Sequence, residues 1–257
     1  MPFYQALILG IIQGITEIFP ISSSGHLIIF PALLGWEPHS LSFDAALHLG
    51  TGLALLFFFA GSWLKLLKER NWKMLFFLLL ASVPAGLVGL FGGDWIEENL
   101  RDPKLTAYAL IGVAFLMLLG EGIYRNVNNP KEEAGIWDVL AIGFAQTLAL
   151  FPGVSRSGIT ILTGMGRGIR RERSAHFSFL ISLPIVFAAG LYQLLGVYQA
   201  GELAVQAPDF AVGILSSFLV GLLAIKFLFS ILRKYSLVPF AIYRIALGVF
   251  LLLFLGR

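Results

Sequence analysis

Residues 22–26 read SSSGH, and they place three hydroxyl groups and an imidazole inside an otherwise apolar stretch. Ser23 and His26 are about one helical turn apart, a spacing that suits a nucleophile and a group that accepts its proton. Gln13 and Glu17 lie upstream and, being four residues apart, share one face of a helix. A serine-glycine tract on its own most often caps a helix, so the chemical interpretation depends on what else meets it.

A second tract, PGVSRSG at 152–158, resembles the first and adds Arg156. Each tract precedes an apolar segment, so both are predicted to lie at helix N-termini, where unpaired N–H groups and the helix dipole attract anions. The planar guanidinium group of Arg156 suits phosphate oxygens. Two such helix starts and an arginine indicate a multiply charged ligand such as a diphosphate. The residues predicted to line these helix starts are Ser22, Ser23, Ser24, Gly25, His26, Ser155, Ser157 and Gly158.

The composition is that of an integral membrane protein. Of the 257 residues, 58% are hydrophobic and only 13% are charged, and the mean hydropathy of +0.85 is far above that of a soluble domain. There is no cysteine, which excludes disulfides and thiolate metal sites. The net charge of +3 is explained by basic loops beside a membrane, and no basic stripe interleaved with aromatic residues suggests nucleic acid.

Charged side chains inside such a chain are functional candidates. A charge at the bilayer centre costs at least about 2.5–3.5 kcal/mol on insertion scales, and Glu17 and Arg156 are the sharpest cases. Glu17 would repel a phosphate unless a hard divalent cation, as Mg²⁺ commonly does, joined carboxylate and phosphate oxygens. Glu17, and more weakly Gln13, are therefore the predicted metal ligands.

The hydropathy pattern predicts an all-α membrane protein with six transmembrane helices and two broken apolar regions. The spans are long enough, at about 17–25 residues, to cross a bilayer; they are 43–60, 73–91, 104–121, 174–197, 210–232 and 237–256. The broken regions surround the two serine tracts, and the second arm of each reaches only about halfway through a core of roughly 30 Å. Each broken region is predicted to be a re-entrant helix-loop-helix pair.

An internal repeat relates the two halves. A shift of 133 positions places Gln13, Ser22, Ser24 and Gly25 on Gln146, Ser155, Ser157 and Gly158. At a slightly different offset of 136, GVAFLMLLG at 112–120 matches GVFLLLFLG at 248–256. Each half, about 1–125 and 135–257 of a single membrane domain of residues 1–257, contains one re-entrant pair and three spans. Three is odd, so the second half is predicted to be inserted upside down, as in inverted-repeat transporters.

Basic residues agree with this topology. Alternating spans place twelve of them on one face and three on the other, and the positive-inside rule makes the first face cytoplasmic. Both termini and the first re-entrant pair then face outward, the second pair enters from the cytoplasm, and the two serine tracts are predicted to meet near the membrane midplane. The site is predicted to open outward. The twelve are Lys65, Lys68, Arg70, Lys73, Arg125, Lys131, Arg167, Arg170, Arg171, Arg173, Arg233 and Lys234, and the three are Arg101, Lys104 and Arg257.

Three segments, QGITE at 13–17, PISSSGH at 20–26 and PGVSRSGIT at 152–160, resemble the signature motifs of the bacterial undecaprenyl-diphosphate phosphatases of the bacitracin-resistance type. The resemblance covers nearly the whole chain. It implies hydrolysis of an isoprenoid diphosphate to the monophosphate in the bacterial inner membrane, which recycles the lipid carrier for peptidoglycan synthesis, with Mg²⁺ or Ca²⁺ as cofactor. It implies no partner beyond this lipid and the surrounding membrane lipids, and no oligomeric state.

The resemblance also implies roles by motif position. Glu17 is the essential carboxylate, Ser23 and His26 belong to the catalytic tract, and Ser155, Arg156 and Thr160 bind the diphosphate. Gln13 stands where the pattern accepts either an acid or an amide, and an amide is the weaker ligand for a hard cation.

Several alternatives stay open at this point. The attacking group is Ser23 activated by His26, His26 itself, or water. A transporter or flippase for a phosphorylated lipid is the rival function, because inverted repeats with broken helices also suit alternating access. Asp44 and His48 are expected to be solvated or to cap a helix, and Arg244 is either a site residue or a structural partner.

Overall fold

The computed structural model describes residues 1–255, apart from the side chains of Asp94 and Glu97. Arg257, one of the predicted outer basic residues, lies outside the described residues. Residues 1–255 form eleven α-helices and no strand beyond an isolated bridge between Lys131 and Ile169. The helices are α1 Phe3–Thr16, α2 Ser23–Leu34, α3 Leu41–Phe58, α4 Ala60–Lys68, α5 Trp72–Leu100, α6 Pro103–Tyr124, α7 Ile136–Thr147, α8 Arg156–Gly166, α9 Arg171–Gln199, α10 Leu203–Leu232 and α11 Val238–Leu255.

Six of these helices are long and apolar enough to cross a membrane, which confirms the predicted number. They are α3, α5, α6, α9, α10 and α11. The prediction missed α4, which continues almost directly from α3 after Phe59 and carries the exposed Lys65 and Lys68 in its last turn.

The two broken regions form short helix pairs around the serine tracts. The arms α1 and α2 have 14 and 12 residues, and α7 and α8 have 12 and 11. A helix that crosses a bilayer unaided needs about 20 residues, so each of these four arms is too short to do so. A 3₁₀ turn at Leu148–Leu150 follows α7.

The first arm of each broken region packs on a helix from the other half of the chain. The first arm α1 packs on α10 of the second half, whereas the first arm α7 packs on α5 of the first half. Glycine permits the close approach of α1 to α10: a Cβ on Gly10 would lie 2.9 Å from the carbonyl oxygen of Gly213, and one on Gly14 would lie 3.0 Å from that of Ser217.

Charged pairs lie at both ends of the helical bundle. At the start of α6, Arg101 contacts the Asp44 carboxylate at 2.5 Å. At the far end of α6, Glu121 pairs with Arg171 at 2.8 Å. Between these ends the interior is largely apolar, with fully buried side chains such as Met117 and Phe179. A charged group in this middle layer therefore stands out.

Candidate active site

The Glu17 carboxylate lies where the two serine tracts meet. Its Oε1 accepts a hydrogen bond from Arg156 Nη2 at 2.7 Å, and its Oε2 accepts one from Ser23 Oγ at 2.5 Å. The side chains of Glu17 and Arg156 are only 7% and 14% exposed. Gln13 Nε2 also lies 3.3 Å from Oε2, which confirms the predicted shared face of α1. One buried carboxylate thus joins a hydroxyl of the first tract to the arginine of the second.

The two tracts adopt the same local structure. Ser22 has φ 75° and ψ 98°, and Ser155 has φ 73° and ψ 110°. Each serine caps the following helix, because its Oγ accepts a hydrogen bond from the N–H of Gly25 or Gly158 at 3.3 and 3.2 Å. Non-glycine residues rarely adopt a positive φ, so this strained geometry at matched positions is typical of functional loops.

The helix starts are therefore confirmed, and each helix begins inside its tract. The α2 helix starts at Ser23 and α8 starts at Arg156, so the N–H groups of the first residues have no carbonyl within the helix to pair with. Two helix N-termini with this property meet at the Glu17 carboxylate, which is the arrangement expected of an anion-binding site.

Ser157 and Arg244 hold the two loops together. Ser157 Oγ donates to the carbonyl oxygens of Glu17 and Phe19 at 3.2 and 3.3 Å. Arg244 donates to Pro20 O of the first loop at 3.2 Å and to Gly153 O of the second at 2.7 Å. Arg244 is fully buried and donates further to the carbonyls of Ala109 and Leu110. Its role is structural pairing with backbone oxygens, which fixes one loop against the other.

His26 makes its contacts with groups other than this carboxylate. Its Nδ1 is 2.6 Å from Ser22 O, and its Nε2 is 2.8 Å from the Tyr243 hydroxyl, with the two rings stacked. Both residues line a groove of about 410 Å³ whose other walls are mostly apolar. Such a lining suits hydrocarbon better than phosphate, and the described contacts do not bring His26 to Ser23 or Glu17.

The remaining predicted residues surround the carboxylate at different depths. Ser24 is partly exposed, and its Oγ lies 3.3 Å from that of Ser22. Thr160 is fully buried, and its hydroxyl contacts Arg156 O at 2.7 Å and Ser178 Oγ at 2.6 Å. Arg156 also donates to Ser178 O at 3.1 Å. Thr160 thus contacts the backbone of Arg156 and also Ser178, the residue to which the arginine side chain donates. Its contact with a diphosphate stays a prediction.

The site contains a histidine that the sequence did not assign to it. His48 of α3 places Nε2 3.3 Å from Glu17 Oε2. Thr51 lies one turn later on α3, and its Oγ1 is 3.5 Å from Gln13 Nε2. The expectation that Asp44 and His48 are solvated or cap a helix is wrong for Asp44, which is buried and paired with Arg101 and His39. The His48 side chain is partly exposed, at 29%, but its Nε2 faces Glu17. The only sequence signal was a histidine inside a spanning segment.

A divalent cation would find one carboxylate and one amide here. The described residues contain no group of three histidine, aspartate or glutamate side chains that could hold a metal alone. Gln13 Oε1, however, is buried and has no hydrogen-bond partner among residues 1–255. Mg²⁺ is often held by one or two carboxylates together with substrate phosphates. Glu17 and Gln13 fit a cation that shares its ligands with the substrate.

Comparison with known proteins gives one consistent result. The sequence model of the family described as Bacitracin resistance protein BacA matches residues 6–250. The chain is 38% identical to Undecaprenyl-diphosphatase 2 of Stutzerimonas stutzeri, over 100% of both proteins. It is 43% identical to Undecaprenyl-diphosphatase of Thermodesulfovibrio yellowstonii, over 98% of this chain and 97% of that protein. A Rubrobacter xylanophilus protein of the same name is 43% identical over 95% of each.

The paired serine tracts, the arginine of the second tract and five of the six apolar spanning helices fall within the matched residues, and the sixth, Val238–Leu255, does so up to residue 250. The match covers far more than half of the chain and agrees with full-length relatives. The chain belongs to the bacitracin resistance protein BacA family.

Proposed function

We propose that this protein is a membrane hydrolase that converts undecaprenyl diphosphate to undecaprenyl phosphate and inorganic phosphate. The observation that carries the proposal is the Glu17 carboxylate, which contacts Ser23 Oγ and Arg156 at once. Relatives named undecaprenyl-diphosphatase support the substrate. By removing the terminal phosphate, the reaction recycles the lipid carrier for peptidoglycan synthesis and confers resistance to bacitracin.

Ser23 is the proposed attacking group. Its Oγ forms a bond to the terminal phosphorus while the bond between that phosphorus and the bridging oxygen breaks, and undecaprenyl phosphate leaves. The hydroxyl proton passes to Glu17 Oε2, which accepts the Ser23 hydrogen bond at 2.5 Å. The contacts favour this route over activation by His26, whose two ring nitrogens face Ser22 O and the Tyr243 hydroxyl.

Water completes the reaction. Its oxygen attacks the phosphorus of phosphoserine 23, the bond from phosphorus to Oγ breaks, and Oγ takes back the proton held by Glu17. Arg156 and the two helix starts stabilise the charge on the phosphoryl oxygens in both steps. Glu17 and Gln13 would hold Mg²⁺ or Ca²⁺, which would supply further neutralisation of that charge.

The proposed topology is two inverted repeats in the inner membrane, each with one re-entrant pair, with both termini and the active site facing outward. The exchanged packing of α1 on α10 and α7 on α5 supports it. Because the chain has no cysteine, single cysteines at the exposed Glu37 and Glu133 can be tested with a membrane-impermeant thiol reagent on intact cells. Labelling at 37 but not at 133 is expected, and the reverse pattern contradicts the orientation.

Phosphate release separates a hydrolase from a carrier. Purified protein in detergent, with no membrane to cross, is expected to release inorganic phosphate from undecaprenyl diphosphate with multiple turnovers. A chelator is expected to lower the rate and added Mg²⁺ to restore it. Binding of the lipid without release of phosphate would favour the transporter or flippase. A rate of phosphate release that does not change when the chelator is added would show that no divalent cation is needed.

A further inference from the structure

The α3 helix forms a third wall of the site, although neither serine tract belongs to it. His48 and Thr51, three residues apart on α3, face Glu17 and Gln13, four residues apart on α1. At a rise of about 1.5 Å per residue, His48 lies roughly 10 Å along α3 from its first residue, Leu41. His48 therefore lies one turn, about 6 Å, further along α3 than Asp44, which pairs with Arg101.

The His48 ring is held by a hydrogen bond at the nitrogen that does not face Glu17. Its Nδ1 lies 2.7 Å from the carbonyl oxygen of Asp44, one turn earlier on the same helix. The Asp44 carboxylate is itself bound by Arg101 Nη2 and His39 Nε2, each at 2.5 Å. The ring therefore has a fixed orientation that directs Nε2 toward α1.

The oxygen that His48 approaches is the one that accepts the Ser23 hydrogen bond. Nε2 lies 3.3 Å from Glu17 Oε2, whereas Arg156 binds Oε1. Both neighbours of the ring, a carbonyl and a carboxylate oxygen, are hydrogen-bond acceptors, so each ring nitrogen faces an oxygen to which an N–H can donate. The His48 side chain is 29% exposed against 7% for Glu17, so it approaches the carboxylate from the more accessible side.

We propose that His48 is a positioning residue, which holds Glu17 Oε2 in the direction of Ser23. With Arg156 on one oxygen and His48 on the other, the carboxylate is held at both oxygens. Without His48, Oε2 keeps only the Ser23 hydroxyl and the longer contact with Gln13, and the carboxylate can turn away from Ser23. This inference rests on the proposed hydrolysis.

Three variants test it in the phosphate-release assay. His48→Ala is expected to lower kcat roughly 10- to 100-fold, as is usual when the partner that orients a functional group is removed, and to change KM less than about twofold, because the ring does not bind substrate. His48→Gln is expected to recover part of the loss, since its amide nitrogen can donate to Oε2. Free imidazole is expected to raise the His48→Ala rate. His176→Ala, which removes a histidine that contacts Ser62, is the control.

The outcomes separate this inference from the proposed function. If the wild-type protein releases no phosphate, the hydrolase proposal fails, and the inference fails with it. If wild type is active and folded His48→Ala stays within threefold of it, only the positioning role is overturned. Equal losses in His48→Ala and His48→Gln, with lowered melting temperatures and no imidazole rescue, would assign His48 a merely structural role.

Discussion

Replacing Arg156 with alanine is expected to lower kcat for phosphate release by about 10³- to 10⁵-fold, the range found when an arginine that stabilises a transferring phosphoryl group is lost. The side chain is 14% exposed and donates to both Glu17 and Ser178 O, which places its charge where the two serine tracts meet. KM is expected to rise as well, because the same guanidinium binds the diphosphate in the ground state. Initial rates of purified protein in detergent measure both constants.

Two further variants make the Arg156 result specific. Arg156→Lys keeps a charge but loses the planar fork, and we expect it to recover only a small part of the activity. Arg173→Ala removes an exposed arginine that pairs with Glu132, and it is expected to match wild type. Melting curves exclude unfolding, which is a real risk because the change leaves a buried carboxylate short of a partner. A folded Arg156→Ala protein within threefold of wild type would remove the arginine from the site.

With saturating Mg²⁺ present, replacing Glu17 with glutamine is expected to lower kcat about 10²- to 10⁴-fold while KM changes little. The amide has nearly the size of the carboxylate and can still accept the Ser23 hydrogen bond, but it cannot take the proton in the attacking step. The expected pattern therefore differs from that of Arg156→Ala, where KM rises too. Steady-state rates across a range of substrate concentrations separate the two patterns.

The matched control for this change is Glu69→Gln. Glu69 is 58% exposed and makes only a distant pair with Lys65 at 4.0 Å, so its loss is expected to leave the rate unchanged. A Glu17→Gln protein with a normal kcat would mean that proton acceptance occurs elsewhere. A raised KM with a normal kcat would limit Glu17 to binding.

The broad architecture was predictable because it follows from bilayer thickness. A span needs about 20 apolar residues, and that requirement marks six helices in the sequence without any tertiary information. The short α4 was missed because hydropathy reports on burial in lipid, and the exposed last turn of α4, with Lys65 and Lys68, carries no such signal.

The meeting of Glu17 with Arg156 was predictable from the repeat, although 139 residues separate them. Matching tracts in the two halves implied that both broken loops end at one depth. The position of His26 was not predictable in this way. Proximity to Ser23 in sequence suggested a catalytic pair, but both lie in the first turn of α2 and project in different directions, Ser23 toward Glu17 and His26 toward Tyr243.

His48 and Arg244 show where sequence reasoning stops. A lone histidine or arginine in a spanning helix indicates that something polar faces it, but the partner is set by helix rotation and by which helices are neighbours. For His48 the partner is a carboxylate on α1. For Arg244 it is a set of backbone carbonyls, which no residue type could reveal.

The most direct test of the site is the chemical state of Ser23 during turnover. Wild-type protein mixed with undecaprenyl diphosphate carrying a labelled terminal phosphate, quenched within the first turnover and cleaved into peptides, is expected to carry the label on Ser23. Ser23→Ala is expected to carry none and to release phosphate at least about 10²-fold more slowly. Label on His26, or rapid turnover by Ser23→Ala, would contradict attack by Ser23.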